Sequence, residues 1–322
     1  MAEEPAGAVS GSFAMSLNYL RNVKDALGWL KPHEVREKAE RSVRVGMFAE
    51  SDLALFRMES YFAPIGWSSA RRAGAVEILQ RAEPESDDRF DLEIWSDAMR
   101  HPPSAITFSW QNPERTVRRV IRHHEDLAIP LARHLEPFRR PTANHVIGKI
   151  SRENALFSVA TALPDVLPLL AFPWAAGEFA SDTAVLTANQ IRMAFMLAAA
   201  SNREIGYREQ RNEIGTIIAG AFGWRALARE LVGKIPFGGG LIPKAAIAWA
   251  GTQVVGMSLE RYYRIGYAYT PAERKAAWED ALTRGRQVAA GLIEGLKIQG
   301  LKERKGNKEG KGSKEANEMN TV

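Results

Sequence analysis

The chain has 322 residues, 45% of them hydrophobic and 25% charged, which allows two domains of ordinary size with a buried core and excludes a disordered polymer. It contains no cysteine, so disulfides, thiolate metal ligands and cysteine nucleophiles are excluded together, and the composition fits a reducing compartment. A net charge of +5 favours anionic surfaces weakly, but no zinc-finger spacing, RNP-type strand or suitably placed GXXG clamp points to specific nucleic-acid binding.

The opening residues MAEEPAGAVSGS are acidic and no unbroken apolar run follows them, which reads against a secretory signal. Phe13, Leu17, Leu20, Leu27 and Leu30 recur at helical spacing and predict an amphipathic helix ending before Pro32. Pro32 suits the first turn of a second helix, and His33 to Arg41 alternates acids and bases as an exposed helix does. Ser42–Glu50 predicts a strand, Asp52–Phe62 a helix capped by Ser51, and Gly74–Ala82 a second strand. Phe90–Trp95 and Ala105–Trp110 predict two more short strands, with antiparallel succession expected, and Asn112-Pro113-Glu114 opens a further helix.

From Thr142 strand signals stop. Alanine- and leucine-rich helical stretches follow, punctuated by Pro164, Pro168, Pro173, Gly206, Gly233 and Gly238-Gly239-Gly240. Beyond Gly300, KERKGNKEGKGSKEANEMNTV has almost nothing to bury. The expected fold is α+β: N-terminal helices over 1–41, a small α/β domain over 42–141, an all-α helical domain over 142–299, and a disordered lysine-rich tail over 300–322.

The order of elements in the α/β segment resembles the start of a Ras-like GTPase, and its first strand contains Gly46. A phosphate loop needs G-x-x-x-x-G-K-[ST], in which lysine neutralises phosphate and the hydroxyl holds magnesium. Here Gly46 is followed by MFAE, then Ser51, Asp52 and Leu53; aspartate repels phosphate and leucine cannot ligate magnesium. Asp97-Ala98-Met99-Arg100 stands where a D-x-x-G switch would, and no N-K-x-D motif occurs. The segment reads as an inert α/β interaction domain, with a degenerate G domain kept as a docking surface as the alternative.

Two blocks, TANQIRMAFMLAAASNREIGYREQRNEI and RALARELVGKIPFGGGLIPKAAIAWAGTQVVGMSLERYY, resemble the bacterial YcjF-type family over roughly Asn154 to Tyr267. The resemblance rests on the T-x-N-Q-I-R helix, the I-P-x-G-G break and the small-residue helix carrying G-T. It implies a helical domain of unknown function that often follows a GTPase domain, with membrane association and a GTPase as partner, and it brings no catalytic residues. The fused members carry the nucleotide motifs that are missing here, which leaves open whether any GTPase is involved or is supplied as a separate chain.

No run of about 18 or more purely apolar residues exists, as a spanning helix requires. The nearest candidates are Phe157–Trp174, broken by three prolines and Asp165, and Phe237–Leu259, interrupted by Lys244 and Gln253. Phe237, Gly238, Gly239, Gly240 and Leu241 mark either a break before a buried helix or the tip of a membrane-inserted hairpin. Ala246 and Ala250, with Gly251 and Gly256 nearby, would allow close helix packing in either setting.

Glu178, Asp182, Asn189 and Arg192 fall within roughly 80° of one another on a helical wheel. They form a candidate polar stripe: a solvated or ion-paired face, or a buried network that fixes register or holds a cation or head group. Arg115, Arg119 and Arg122 share a face of the helix after Pro113, a solvated arginine face or a contact for anionic lipid. His123 and His124 are adjacent, no histidine pair has i,i+4 spacing, and no G-x-S-x-G occurs, so no metal, cofactor or catalytic residue is assigned.

The expected function is that of a non-catalytic adaptor on the cytoplasmic side of the inner membrane, peripheral or hairpin-inserted. The alternatives are a soluble enzyme with a carboxylate site around Glu178, Asp182 and Arg192, and a cytoplasmic GTPase-derived scaffold without membrane contact.

Overall fold

A computed structural model describes residues 23–25, 27–28, 30–85, 88–161, 182–220 and 240–319, with side chains as far as Leu296. It has the α+β organisation expected, a small four-stranded sheet followed by a helical region. The elements are α1 (Pro32–Ala39), β1 (Val45–Phe48), α2 (Asp52–Phe62), α3 (Ser69–Ile78), β2 (Leu79–Arg81), β3 (Leu92–Ser96) and β4 (Ile106–Phe108). They continue as α4 (Pro113–His123), α5 (Glu125–His134), α6 (Glu136–Ala160), α7 (Asp182–Ala200), α8 (211–220), α9 (Leu241–Ile265) and α10 (Pro271–Met319). Of the expected helix from Phe13 to Leu30, residues 23–25, 27–28 and 30 are described; 23–25 and 27–28 are helical and Leu30 is not.

Where start signals are local, the elements fall where they were expected. Pro32 lies in the first turn of α1, the Ser51 hydroxyl accepts from the Ala54 amide at 3.2 Å to cap α2, and the Asn112 side-chain Oδ1 accepts from the Arg115 amide at 3.1 Å to cap α4. The expected strand Gly74–Ala82 is corrected: a helix capped by Ser68 runs to Ile78, and only Leu79–Arg81 is extended. Ala75 and Ile78, three apart, are the buried residues of that helix, so helical spacing rather than alternation sets the packing.

The antiparallel succession is also corrected. β1 pairs in parallel with both β2 and β3, β3 pairs in parallel with β4, and the sheet order is β2-β1-β3-β4. Parallel neighbours require the chain to return to the starting edge, and between β3 and β4 residues 97–105 make that return without a helix. One sheet face, with Val45, Met47, Leu92 and Ile94, packs against α2, α4, α5 and α6 in a core that includes Phe62, Phe108, Leu131 and Phe138. The other face is covered by aromatics: Phe48 stacks on Trp95 with ring centroids 4.1 Å apart and meets Phe90 edge-on at 5.9 Å.

No break falls at residue 142. α6 continues from Glu136 to Ala160, giving Phe138 to the sheet core, Val146, Ile147 and Ile150 to a cluster with α7, and Ala155 and Val159 to a cluster with α9 and α10. The N-terminal helices are tied to the same body: Ala39 and Val35 pack with Ile191 and Phe195, and the Tyr207 hydroxyl bridges the Leu27 and Leu30 carbonyls at 2.7 and 2.9 Å. α7 ends with Asn202 in the left-handed region (φ 55°), where the Arg203 amide donates to the Ala198 carbonyl at 2.9 Å.

α9 lies against α6 and α10, with Ala245, Ala246, Trp249, Ala250 and Val254 buried. A β-carbon on Gly256 would come within 2.7 Å of Ile147, and one on Gly285 within 2.8 Å of the Ala246 carbonyl, so these glycines set the helix separations. Among the described residues no helix is long and apolar enough to cross a membrane. The backbone of α10 runs to Met319, into the stretch expected to lack fixed structure. Lysine and glutamate are good helix formers, and extending an existing helix needs no new nucleus.

Candidate functional site

In open parallel sheets ligands bind beyond the carboxyl ends of the strands where the order reverses, which here is between β1 and β3. The side chains at that edge have other partners. The Ser51 hydroxyl caps α2, and the fully buried Ser96 hydroxyl accepts from the Trp110 indole N–H at 3.2 Å and the Ala98 amide at 3.3 Å. Thr116 accepts from the Ser109 amide at 2.9 Å. The exposed charges there include the carboxylates Glu50, Asp52 and Asp97, the wrong sign for phosphate. Gly46 is not a phosphate-loop glycine: it lies within β1, and its missing side chain makes room for the ring of Phe90.

Arg115, Arg119 and Arg122 are exposed on α4, and none forms an ion pair among the described residues, whereas Arg118 on the same helix pairs with Glu114 at 3.1 Å. Val117, Val120 and Ile121, the apolar side of that helix, are buried in the sheet core. The amphipathic pattern therefore serves the fold, and what α4 offers outward is charge.

The polar stripe is divided. Glu178 lies outside the described residues, as does the side chain of Asp182, while Asn189 is 3% exposed. The Asn189 amide donates to the Asn154 Oδ1 at 2.8 Å; the Asn154 amide donates to the Thr252 hydroxyl at 2.8 Å and the Leu186 carbonyl at 3.4 Å. Gln190 donates to the same hydroxyl at 3.3 Å, and Thr252 donates to the Ala248 carbonyl at 2.8 Å. These residues form a polar layer between α6, α7 and α9, to which Asn189 alone of the expected stripe contributes among the described residues. Arg192, one turn on from Asn189, pairs with Glu153 of α6.

Asn189 and Arg192 also border a cleft of about 430 Å³ between α1, α5, α6 and α7. Val185, Ala188, Arg192 and Phe195 give it one stripe of α7. Ile129 and Ile150 complete an apolar wall, and Lys31, Glu34, Lys38, Lys149 and Glu153 line it from α1, the residue before it, and α6. Lys149 pairs at 2.5 Å with Glu125, whose carboxyl is held below its ordinary range by that hydrogen bond. A second groove, of about 460 Å³ and mostly apolar, lies between α8, α9 and the start of α10 and is bordered by Ile217, Val254, Leu259 and Tyr262.

Of the candidate hairpin, Phe237, Gly238 and Gly239 lie outside the described residues, Gly240 is exposed before α9, and Leu241 is its first residue, half-buried. Among the described residues no group of three or more histidine, aspartate or glutamate side chains is placed to hold a metal ion. Sequence reasoning missed the cleft and the contributions of Asn154, Thr252 and Lys38. The signal available for Asn154 and Thr252 was a polar residue inside an apolar helical run, and its partners come from other helices.

No family model, no curated protein and no solved structure matches the chain.

Proposed function

We propose that the chain is a non-catalytic adaptor that rests on the anionic cytoplasmic face of the inner membrane and offers its α/β half to a protein partner. A GTPase is the partner class implied by the YcjF-type resemblance. The observation that carries the membrane reading is the arginine ridge of α4: three guanidinium groups project into solvent without carboxylate partners among the described residues, while the apolar side of the helix is buried in the core. Such a surface is held at a leaflet by charge alone, at about 1 kcal/mol per basic residue near the surface, and is released by salt. The partner surface is assigned to α2, where Leu53 and Phe56 are 59% and 39% exposed on a helix that starts at the carboxyl edge of the sheet.

The test is sedimentation of the full chain with vesicles of phosphatidylglycerol and phosphatidylcholine, compared with vesicles of phosphatidylcholine alone. Binding to the anionic vesicles at low salt, release at high salt, and loss of binding in Arg115→Glu/Arg119→Glu/Arg122→Glu are expected. Equal binding to neutral vesicles, or binding unaffected by the triple charge reversal, would overturn the ridge as the membrane contact. Retention through an alkaline carbonate wash would favour hairpin insertion instead.

A further inference from the structure

We propose that the cleft between α1, α5, α6 and α7 binds a single-chain anionic amphiphile of the fatty-acid class, its alkyl chain along the α7 wall and its head group at Lys38. The volume of about 430 Å³ lies in the range of small-molecule sites, roughly 300–1,000 Å³. The wall is aliphatic and aromatic, with Val35, Ile129, Ile150 and Phe195 from four different helices, and such a surface takes an alkyl chain rather than a polar metabolite.

Charge at the rim selects the head group. Four cations, Lys31, Lys38, Lys149 and Arg192, face two carboxylates, Glu34 and Glu153, within the lining. Three of the cations are already matched: Lys31 with Glu34 at 3.0 Å, Lys149 with Glu125 at 2.5 Å, and Arg192 with Glu153. Lys38, one turn beyond Glu34 on α1, has no ion-pair partner among the described residues. An anionic head group can pair with Lys38 without breaking an existing ion pair, a neutral one leaves that charge unused, and a cationic one meets a net positive rim. α4 contributes nothing to the lining, so this site and the arginine ridge succeed or fail separately.

The experiment is titration calorimetry of the full chain with dodecanoate, dodecanol and dodecyltrimethylammonium below their micellar concentrations, repeated on Lys38→Glu. Lys38 is exposed, and circular dichroism reports whether the variant keeps its fold. Dodecanoate is expected to bind one-to-one and more tightly than dodecanol, the cationic probe not at all, and Lys38→Glu to weaken dodecanoate roughly fivefold or more while leaving dodecanol unchanged. A parallel arm with lysophosphatidic acid separates free fatty acid from lipid head group as the source: whichever anion binds more tightly, its affinity must depend on Lys38. No saturable binding, equal affinity for dodecanoate and dodecanol, or an unchanged dodecanoate affinity in folded Lys38→Glu would overturn the proposal.

Discussion

The ring of Phe90 occupies the space a side chain on Gly46 would need: a β-carbon there would stand 2.6 Å from Cδ2 and 2.7 Å from Cγ. Both atoms belong to one rigid ring, so the whole side chain must move to relieve the clash. Gly46→Ala is expected to cost about 1–3 kcal/mol, the usual range for overpacking. Phe90→Ala in the same background should recover part of that loss, and denaturant unfolding of the two single variants and the double variant measures the coupling. Additive effects would show that the ring does not fill the space above Gly46.

Glu59 is 7% exposed and joins three elements. Its carboxylate accepts from Arg72 of α3 at 2.9 Å and from Arg81 of β2 at 3.0 and 3.2 Å. Arg81 is half-exposed and regains water when the pair is lost, which limits the penalty. Glu59→Ala is expected to cost about 1–3 kcal/mol of unfolding free energy, less than removing one partner of a fully buried pair. Hydrogen exchange should show the loss first in α3 and β2.

Asn154 is the hub of the polar layer: its amide reaches Thr252, 98 residues away in sequence, and its carbonyl oxygen receives Asn189. Asn154→Leu strands the Asn189 amide in a buried site, at an expected cost of about 1–3 kcal/mol. Asn154→Leu/Asn189→Leu should be less destabilised than the sum of its single variants, since the partners are then removed together. Thermal unfolding of the three variants checks this.

Thr270 and Glu273 form a reciprocal cap at the start of α10. The Thr270 amide and hydroxyl donate to the Glu273 carboxylate at 2.9 and 3.0 Å, and the Glu273 amide donates to the Thr270 hydroxyl at 3.3 Å. The Arg261 guanidinium of α9 adds a hydrogen bond at 2.6 Å; that bond first, then those from Thr270, holds the Glu273 carboxyl down to about 2 from an ordinary 4.5. Because the folded-state value is the lower one, this stabilisation is complete above 4.5 and is lost as pH falls toward 2. Amide exchange in the first turn of α10 should accelerate over that window in the native chain. In Glu273→Gln the window should vanish, and an unchanged acid profile would disprove the assignment.

Much of the local structure was legible because its causes lie within one turn. Pro32 favours a helix start through its fixed φ in the first turn, and Ser51 and Asn112 each determine one through a side-chain oxygen that accepts from the amide three residues on. The Thr270-x-x-Glu273 box carried a signal of the same kind and went unread. Ser69–Ile78 misled because its apolar end, Ala75-Val76-Glu77-Ile78, alternates like a strand over so short a span, and the Ser68 cap was not weighed. At the candidate site, helical spacing placed Asn189 and Arg192 on one face of α7, but not what that face meets.

The sequence by itself determined the class of the fold, several helix starts and the absence of a phosphate-loop motif, because each depends on residue types a few positions apart. The tertiary structure alone decided the parallel strand order, the passage of α6 from the sheet core into the helical clusters, the polar layer of Asn154, Asn189 and Thr252, and the cleft that Lys38 and Phe195 both line. These arrangements join residues tens to more than a hundred positions apart. The energies that select them come from burial and hydrogen bonding between elements, and a local pattern encodes those only after the elements have packed.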